Sequence, residues 1–401
     1  MTADACFITD AEMPAGIDEV VAGRGLLAQA CPVAALHCFD RVLTRSPGLA
    51  AAHAGRGQAL LALRRPREAL ASFDAAIRSG ADPESVAQGR WVGAMLLGAY
   101  ATAWTVCDEV LARRRREDFN RRDQPFHLRH VWDGSSLDGR DVLVRCYHGL
   151  GDTIQFLRYL PMLRRRAASV TVQAVPALHG LLCRAPGIDR IVPLGYGLSD
   201  PPYGIDIEIM ELPYAFRTTL DTIPSRLPYL HVGPCRRAAT GQRSRAELRL
   251  KVGLAWAAGD WDPRRSIPLT AFAPLASIPG ITFVNLQRGP AVAAMAKARP
   301  AVPFADGPAS WSDDIEDTAA IILTLDLVIT VDTMVAHLAG ALGRPVWTLL
   351  HFAADWRWMI DRRDSPWYPT MRLFRQPAPG AWVPVIAAVA DQLRAQQAGT
   401  T

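Results

Sequence analysis

Asp332-Thr333-Met334-Val335-Ala336-His337-Leu338-Ala339-Gly340-Ala341-Leu342-Gly343-Arg344-Pro345 decides how the C-terminal half of this chain folds. An apolar run, Leu327 to Val331, leads straight into it, and a second, Val346 to Leu350, leaves it. The small residues between the runs suit a helix, and Gly343-Arg344-Pro345 stops it. This is strand, turn, helix, strand, the building block of a parallel sheet. The helix starts where the first strand ends. Its first-turn N–H groups have no partners within the helix and carry the positive end of its dipole, so that corner suits an anion such as phosphate.

The same alternation extends in both directions. Leu250 to Trp256 reads as a strand, followed by a helix after Leu269, a strand from Ile281 to Leu286 and a helix near Thr318 to Leu325. A helix from Val383 to Gln396 closes the chain. Upstream, Asp141 to Cys146 is a strand and Tyr147-His148-Gly149-Leu150-Gly151-Asp152 a tight glycine loop. Thr153 to Arg166 has helical spacing, interrupted at Pro161. Strands at Ser169–Ala174, Ile188–Leu194 and Ile205–Met210, with a helix at Ala177–Arg184, complete that half. The Pro-rich, basic stretch Pro224 to Arg245 separates two parallel-sheet halves, each with helices on both faces.

The first third carries a different signal, a step of 34 residues. Ala35, Ala69 and Ala103 obey it, as do Gly23, Gly57 and Trp91; Phe39, Phe73 and Cys107; and Leu43, Ile77 and Leu111. Pro47 ends one unit and Asp82-Pro83 the next. The spacing resembles the tetratricopeptide repeat, a helix pair in which small residues permit close approach and an aromatic fills the gap between units. Such an array implies a docking surface for a protein partner, or a platform for the chain's own second half. Arg113 to Arg116 ends the array as a basic run that suits a helix C-terminus.

Bulk properties narrow the class. The chain has 401 residues, half of them hydrophobic, so two or three cores are expected. Lys plus Arg exceeds Asp plus Glu by 44 − 39 = 5, an excess suited to small anionic ligands rather than nucleic acid. No secretory leader is read in Met1 to Asp10, and Ala319 to Val331, broken by Asp326, is too short to span a bilayer. A cytoplasmic protein is the expectation. Seven cysteines without a Cys-x-x-Cys pair point to reduced thiols rather than zinc or disulfides.

Two motifs together carry a family resemblance. Gly151-Asp152, after the first strand of the first half, and Asp332 to Pro345 in the second resemble glycosyltransferase family 9, the heptosyltransferase-like enzymes. The likeness covers most of residues 141 to 396 and is nearest the bacterial branch that carries tetratricopeptide repeats before the transferase. It implies helical repeats over 1–117, a linker over 118–140, and a GT-B fold of two Rossmann-like domains. Residues 141–240 form its acceptor side and 246–401 its nucleotide-sugar side. The implied activity is inverting, metal-independent transfer from a nucleoside-diphosphate sugar to a protein or glycan hydroxyl, with no bound cofactor. Competing readings are a repeat scaffold whose α/β half binds a nucleotide sugar without catalysis, and a GT-B epimerase or hydrolase.

The resemblance makes Asp152 the general base, a role that sugar transfer chemically requires. Asp is equally a preferred helix cap, so capping stands beside catalysis. Gly149 and Gly151 permit a tight turn and a closely approaching ligand. Asp332, Thr333, Met334 and His337 fall at the donor diphosphate and its sugar; Met334 stands where family members often have Gly, and it narrows that space. His337 is otherwise a packed core histidine, and Asp332 a helix cap or sugar ligand. Arg265, then Arg264, is placed on the diphosphate, where a guanidinium grips phosphate oxygens in pairs. Gln287 lies past a strand end, where a nucleotide base would sit. Asp260-Trp261-Asp262 matches the Asp-x-Asp of metal-dependent transferases, but the two arginines beside it can supply the cation's charge. Asp355-Trp356-Arg357-Trp358 is either a stacking surface or a packed corner.

Overall fold

A computed structural model describes residues 17–116, 132, 134–195, 200–239, 249–292, 302–305 and 314–398. Most of the linker read over 118–140, Cys6, and the ends at 240 and 246 of the two expected α/β domains lie outside the described residues. The chain divides into two compact units. One is Met1–His130 with Thr219–Asp221 and Ala353–Asp361; the other is Val131–Thr218, Thr222–Phe352 and Arg362–Thr401.

Among its described residues the first unit holds six α-helices in three pairs: α1 (Ile17–Ala28), α2 (Pro32–Arg45), α3 (Ala50–Ala62), α4 (Pro66–Arg78), α5 (Pro83–Leu96) and α6 (Tyr100–Arg116). The 34-residue step has a steric cause. Phe39 of α2 is fully buried between glycines of two flanking helices: a Cβ would come within 2.7 Å of its ring at Gly23 of α1 and 2.4 Å at Gly55 of α3. One unit later, Phe73 of α4 stands in the same way between Gly57 and Gly89. Each aromatic needs missing side chains on both neighbours. Helix propensity alone would make Gly55→Ala stabilising by about 1 kcal/mol. The clash with Phe39 reverses the sign, so we expect a loss of about 1–3 kcal/mol, read as a lower melting temperature. A rise on Gly55→Ala would refute this packing argument.

Among its described residues the second unit holds two sheets. The first joins β1 (Asp141–Arg145), β2 (Ser169–Ala174), β3 (Arg190–Pro193) and β4 (Ile205–Glu208) in the order β3-β2-β1-β4. The second joins β5 (Leu250–Ala255), β6 (Ile281–Asn285), β7 (Leu327–Val331), β8 (Val346–Leu350) and β9 (Met371–Arg375) in the order β6-β5-β7-β8-β9. Every pairing between these strands is parallel. Helices followed by two Rossmann-like parallel sheets constitute the expected α plus α/β, GT-B fold class. β7 and β8 are buried at every position, as strands covered on both faces must be. A core of Val252, Leu254, Ile329, Leu349, Val389 and Leu393 packs β5, β7 and β8 against the closing helix Trp382–Ala398.

In each sheet the order reverses once, between β1 and β4 and between β5 and β7. Open α/β sheets bind ligands beyond the carboxyl ends of the strands flanking such a reversal. Among the described residues no helix is long and apolar enough to cross a membrane, and none of the described cysteines is disulfide-bonded.

Candidate functional site

After β1 the chain departs from the sequence expectation. The Gly149-Leu150-Gly151-Asp152 stretch is not a loop: a helix runs from Leu150 to Phe156, with Gly149 as its cap residue at φ −64°, ψ 156°. The helical stretch expected to Arg166 continues as a short 3-10 turn at Leu157–Tyr159 and a helix at Leu160–Arg164, with Pro161 in the first turn of that last segment. Asp152 therefore sits in the first turn, where Oδ2 accepts the Gly149 N–H at 3.0 Å. Neither Gly149 nor Gly151 has a positive φ. Gly151 is required by contact: a Cβ there would lie 2.7 Å from His337 Cδ2 and 3.5 Å from the Met334 Cα. The start of the Asp152 helix thus lies against the start of the Met334–Ala341 helix.

That second helix follows β7. Its cap residue, Thr333, is extended at φ −153°, ψ 174° and makes no side-chain capping bond. The helix before it contrasts: at Ile315–Ile322, Asp314 Oδ1 accepts the Glu316 N–H at 2.9 Å. Asp332 and His337 are buried, while Thr333 and Met334 are half-buried. His337 Nδ1 is bonded to the Tyr368 hydroxyl at 3.0 Å, so one ring nitrogen is already engaged.

The loop after β5 supplies the cations. A 3-10 turn, Pro263–Arg265, is capped by Asp262, which accepts the Arg264 N–H at 3.1 Å. Arg264 Nε and Nη2 also donate to Asp262, at 2.8 and 3.0 Å. Burial opposes ionisation of Asp262, but these bonds, the Arg264 charge and His351 nearby outweigh it and hold the carboxyl below the usual carboxylate range. Arg264 is thereby tied to its own loop. Arg265 instead reaches across to β7, where Nη1 donates to the Asp332 carbonyl at 3.1 Å, and its guanidinium lies over the Trp261 ring, 4.4 Å from the centroid. Its Nε is buried without a hydrogen bond. Arg265 and Thr333 therefore flank the β5/β7 reversal together.

Gln287 has a structural task. Its carbonyl accepts the N–H groups of Trp256 and Ala257, and its amide donates to Ala257 O and Arg288 O. Those four bonds exhaust a glutamine side chain, leaving no donor or acceptor for a base. The Asp355–Trp358 corner belongs to the helical unit. Trp356 meets Trp91 of α5 edge to face, with centroids 5.2 Å apart, and Trp358 is fully buried, so this is packing.

Sequence reading missed a polar group at the β1/β4 reversal. Glu208 ends β4; its Oε1 pairs with His148 Nε2, and its Oε2 accepts from the Tyr147 hydroxyl at 2.6 Å. Burial first, and Glu208 second, push the Tyr147 phenol upward, so it keeps its proton and donates. Beside them, buried Arg145 bonds Gln173 at 2.9 Å, Asp206 at 2.7 Å and Asp200 at 2.7 Å. The charged residues of the Ile205-Asp206-Ile207-Glu208 strand were the available signal. Among the described residues no three His, Cys, Asp or Glu side chains are grouped as a metal site requires.

No family model matches the chain. Protein FlbA of Caulobacter vibrioides is 28% identical over 390 residues, covering 89% of this chain and 63% of that protein, so the chain spans less than two thirds of this relative. Similar solved structures include a glycosyl transferase family 9 protein from Veillonella parvula DSM 2008, with 15% identity, 60% of this chain and 87% of that one covered, and a TM-score of 0.44. E. coli ADP-heptose lps heptosyltransferase II has 15% identity, coverage of 63% and 99%, and a TM-score of 0.41. An O-GlcNAc transferase mutant from Thermobaculum terrenum has 14% identity, coverage of 95% and 85%, and a TM-score of 0.31.

Proposed function

We propose that this chain is a cytoplasmic glycosyltransferase that moves a sugar from a nucleoside diphosphate to an acceptor hydroxyl, inverting the anomeric carbon, with no metal and no bound cofactor. The observation that carries this reading is the convergence at the β5/β7 reversal. There the Arg265 guanidinium is anchored to the Asp332 carbonyl, beside a helix start that Thr333 leaves without a side-chain cap. A diphosphate leaving group gathers charge as its bond to the sugar breaks, and fixed donors aimed at that charge lower the barrier. Asp152 is the base. It takes the acceptor's proton as the oxygen attacks, and the departing electron pair stays with the diphosphate. Its helix start abuts the donor-side helix at Gly151, so the two halves of the reaction meet there.

The six helices serve as tetratricopeptide-like repeats that recruit the acceptor, a protein or glycan, or a partner protein. Asp332 and His337 complete the donor side, and Met334 shapes the sugar's space.

A panel of UDP-, ADP-, GDP-, CDP- and dTDP-sugars tests the reading by thermal shift, since a ligand held only by the folded chain raises its melting temperature. At least one donor should raise it, and Arg265→Ala should abolish most of that rise. If no nucleotide sugar at millimolar concentration moves the wild type, the donor site is wrongly placed. Binding without transfer or donor hydrolysis would make the α/β half a non-catalytic sensor.

A further inference from the structure

We infer that Trp261 is the stacking platform for the base of the nucleoside diphosphate, an inference that rests on the diphosphate lying at Arg265 and Thr333. Trp261 is 78% exposed, whereas its neighbour Asp262 is buried. Asp262 is extended at φ −142°, ψ 90°, and successive side chains of extended backbone point to opposite sides. Arg264 donates to both Asp262 carboxylate oxygens and fixes the acid in its turn, so the indole is presented on the opposite, outward side.

The ring is not merely adrift on the surface. The Arg265 guanidinium covers one face at 4.4 Å, and Arg265 is itself fixed by its bond to the Asp332 carbonyl. At that exposure the other face of the indole is open to solvent. An aromatic plane with one face braced by a cation and the other face open can receive the planar ring of a base by stacking. The brace is the same guanidinium that is aimed at the diphosphate. Phosphates at Arg265 and a base on Trp261 are then joined by a ribose, and the cation serves both. Gln287, the residue first placed at the base, has spent its amide on backbone. Trp261 fills that role by stacking, which every base permits.

The test measures equilibrium binding of UDP, ADP, GDP, CDP and inorganic pyrophosphate to the full chain and to Trp261→Ala and Trp261→Phe, by calorimetry. Wild type should hold at least one nucleoside diphosphate more tightly than pyrophosphate. Trp261→Ala should weaken that nucleotide at least about tenfold and leave pyrophosphate unchanged, and Trp261→Phe should restore most of the loss. Quenching of tryptophan fluorescence by the nucleotide should vanish in Trp261→Phe. Equal nucleotide affinity in wild type and Trp261→Ala overturns the platform and leaves the diphosphate site standing. Failure of wild type to bind either pyrophosphate or any nucleotide overturns both. Trp261 is solvent-exposed, so unchanged melting of the variants verifies that binding, not folding, is read.

Discussion

Asp152→Asn is expected to lower sugar transfer about 100- to 10,000-fold while donor binding and melting temperature stay near wild type. The substitution separates the capping seen at this residue from the catalysis proposed for it. Asp152 Oδ2 accepts the Gly149 N–H at 3.0 Å. An asparagine carbonyl accepts the same bond, so the helix start survives, apart from about 0.3–1 kcal/mol of charge–dipole attraction. What it cannot do is take a proton from an acceptor hydroxyl. A residue that only caps would behave oppositely: Asn would leave turnover intact, and Asp152→Ala would cost about 0.5–2 kcal/mol of stability with no separate catalytic defect. The nearby pair offers a second base. His148 is bonded to Glu208, whose other oxygen is held by Tyr147, an arrangement that orients an imidazole for proton transfer. His148→Gln is therefore the companion variant. Full turnover in Asp152→Asn together with collapse in His148→Gln would move the base role to the imidazole. Transfer, or donor hydrolysis without acceptor, is the measurement, using whichever nucleotide sugar binds.

Some of this architecture is legible from one-dimensional pattern. Leu327–Val331 and Val346–Leu350 form strands over the expected residues because sheets buried on both faces leave continuous apolar runs, and Ser169–Ala174 does so on alternating apolar Val170, Val172 and Ala174. The 34-residue step is legible because Phe39 and Phe73 each demand glycine on two neighbouring helices. Met371–Arg375 went unread as a strand: the half-buried Arg372 interrupts its apolar residues and Arg375 ends them. Gly149 to Asp152 misleads because glycines usually mark loops, whereas Gly151 is there to let a helix pass close to His337. Interactions across long separations leave no local trace. Arg145 meets Asp206 61 residues away, and Arg158 meets Trp367 209 residues away. A lone arginine in an apolar helix says nothing about which carbonyls will surround it. Family likeness alone puts Arg265 and Asp332 at one diphosphate, and nothing in the sequence foretells the bond between them across 67 residues.

Arg158→Met is expected to destabilise the α/β unit by about 2–4 kcal/mol, a larger change than most surface or conservative core substitutions produce. Arg158 is buried, and its bonds among the described residues go to neutral acceptors. Nε donates to Gln155 O at 2.7 Å, Nη1 to Trp367 O and to Pro224 O, the latter at 3.3 Å, and Nη2 to the Tyr229 hydroxyl at 3.0 Å. The rings of Tyr229 and Tyr368 lie 4.7 and 4.6 Å from the guanidinium, so their faces replace the missing carboxylate. Methionine fills much of the volume and removes the cost of burying a cation, but it leaves several acceptors dry, each worth about 1–3 kcal/mol. Lysine retains the charge yet lacks the planar fork needed to reach carbonyls in different directions, so Arg158→Lys should rescue little. The consequence extends to the site. Tyr368 bonds His337 Nδ1, His337 packs on Gly151, and Asp152 is the next residue. Loosening Arg158 frees Tyr368 and, through it, the contact that sets the start of the Asp152 helix against the Met334–Ala341 helix. A lower melting temperature should therefore come with weaker donor binding at temperatures where the variant is still folded. If Arg158→Met melts with the wild type and binds donors equally well, the buried cation is packing alone and does not position the reacting groups.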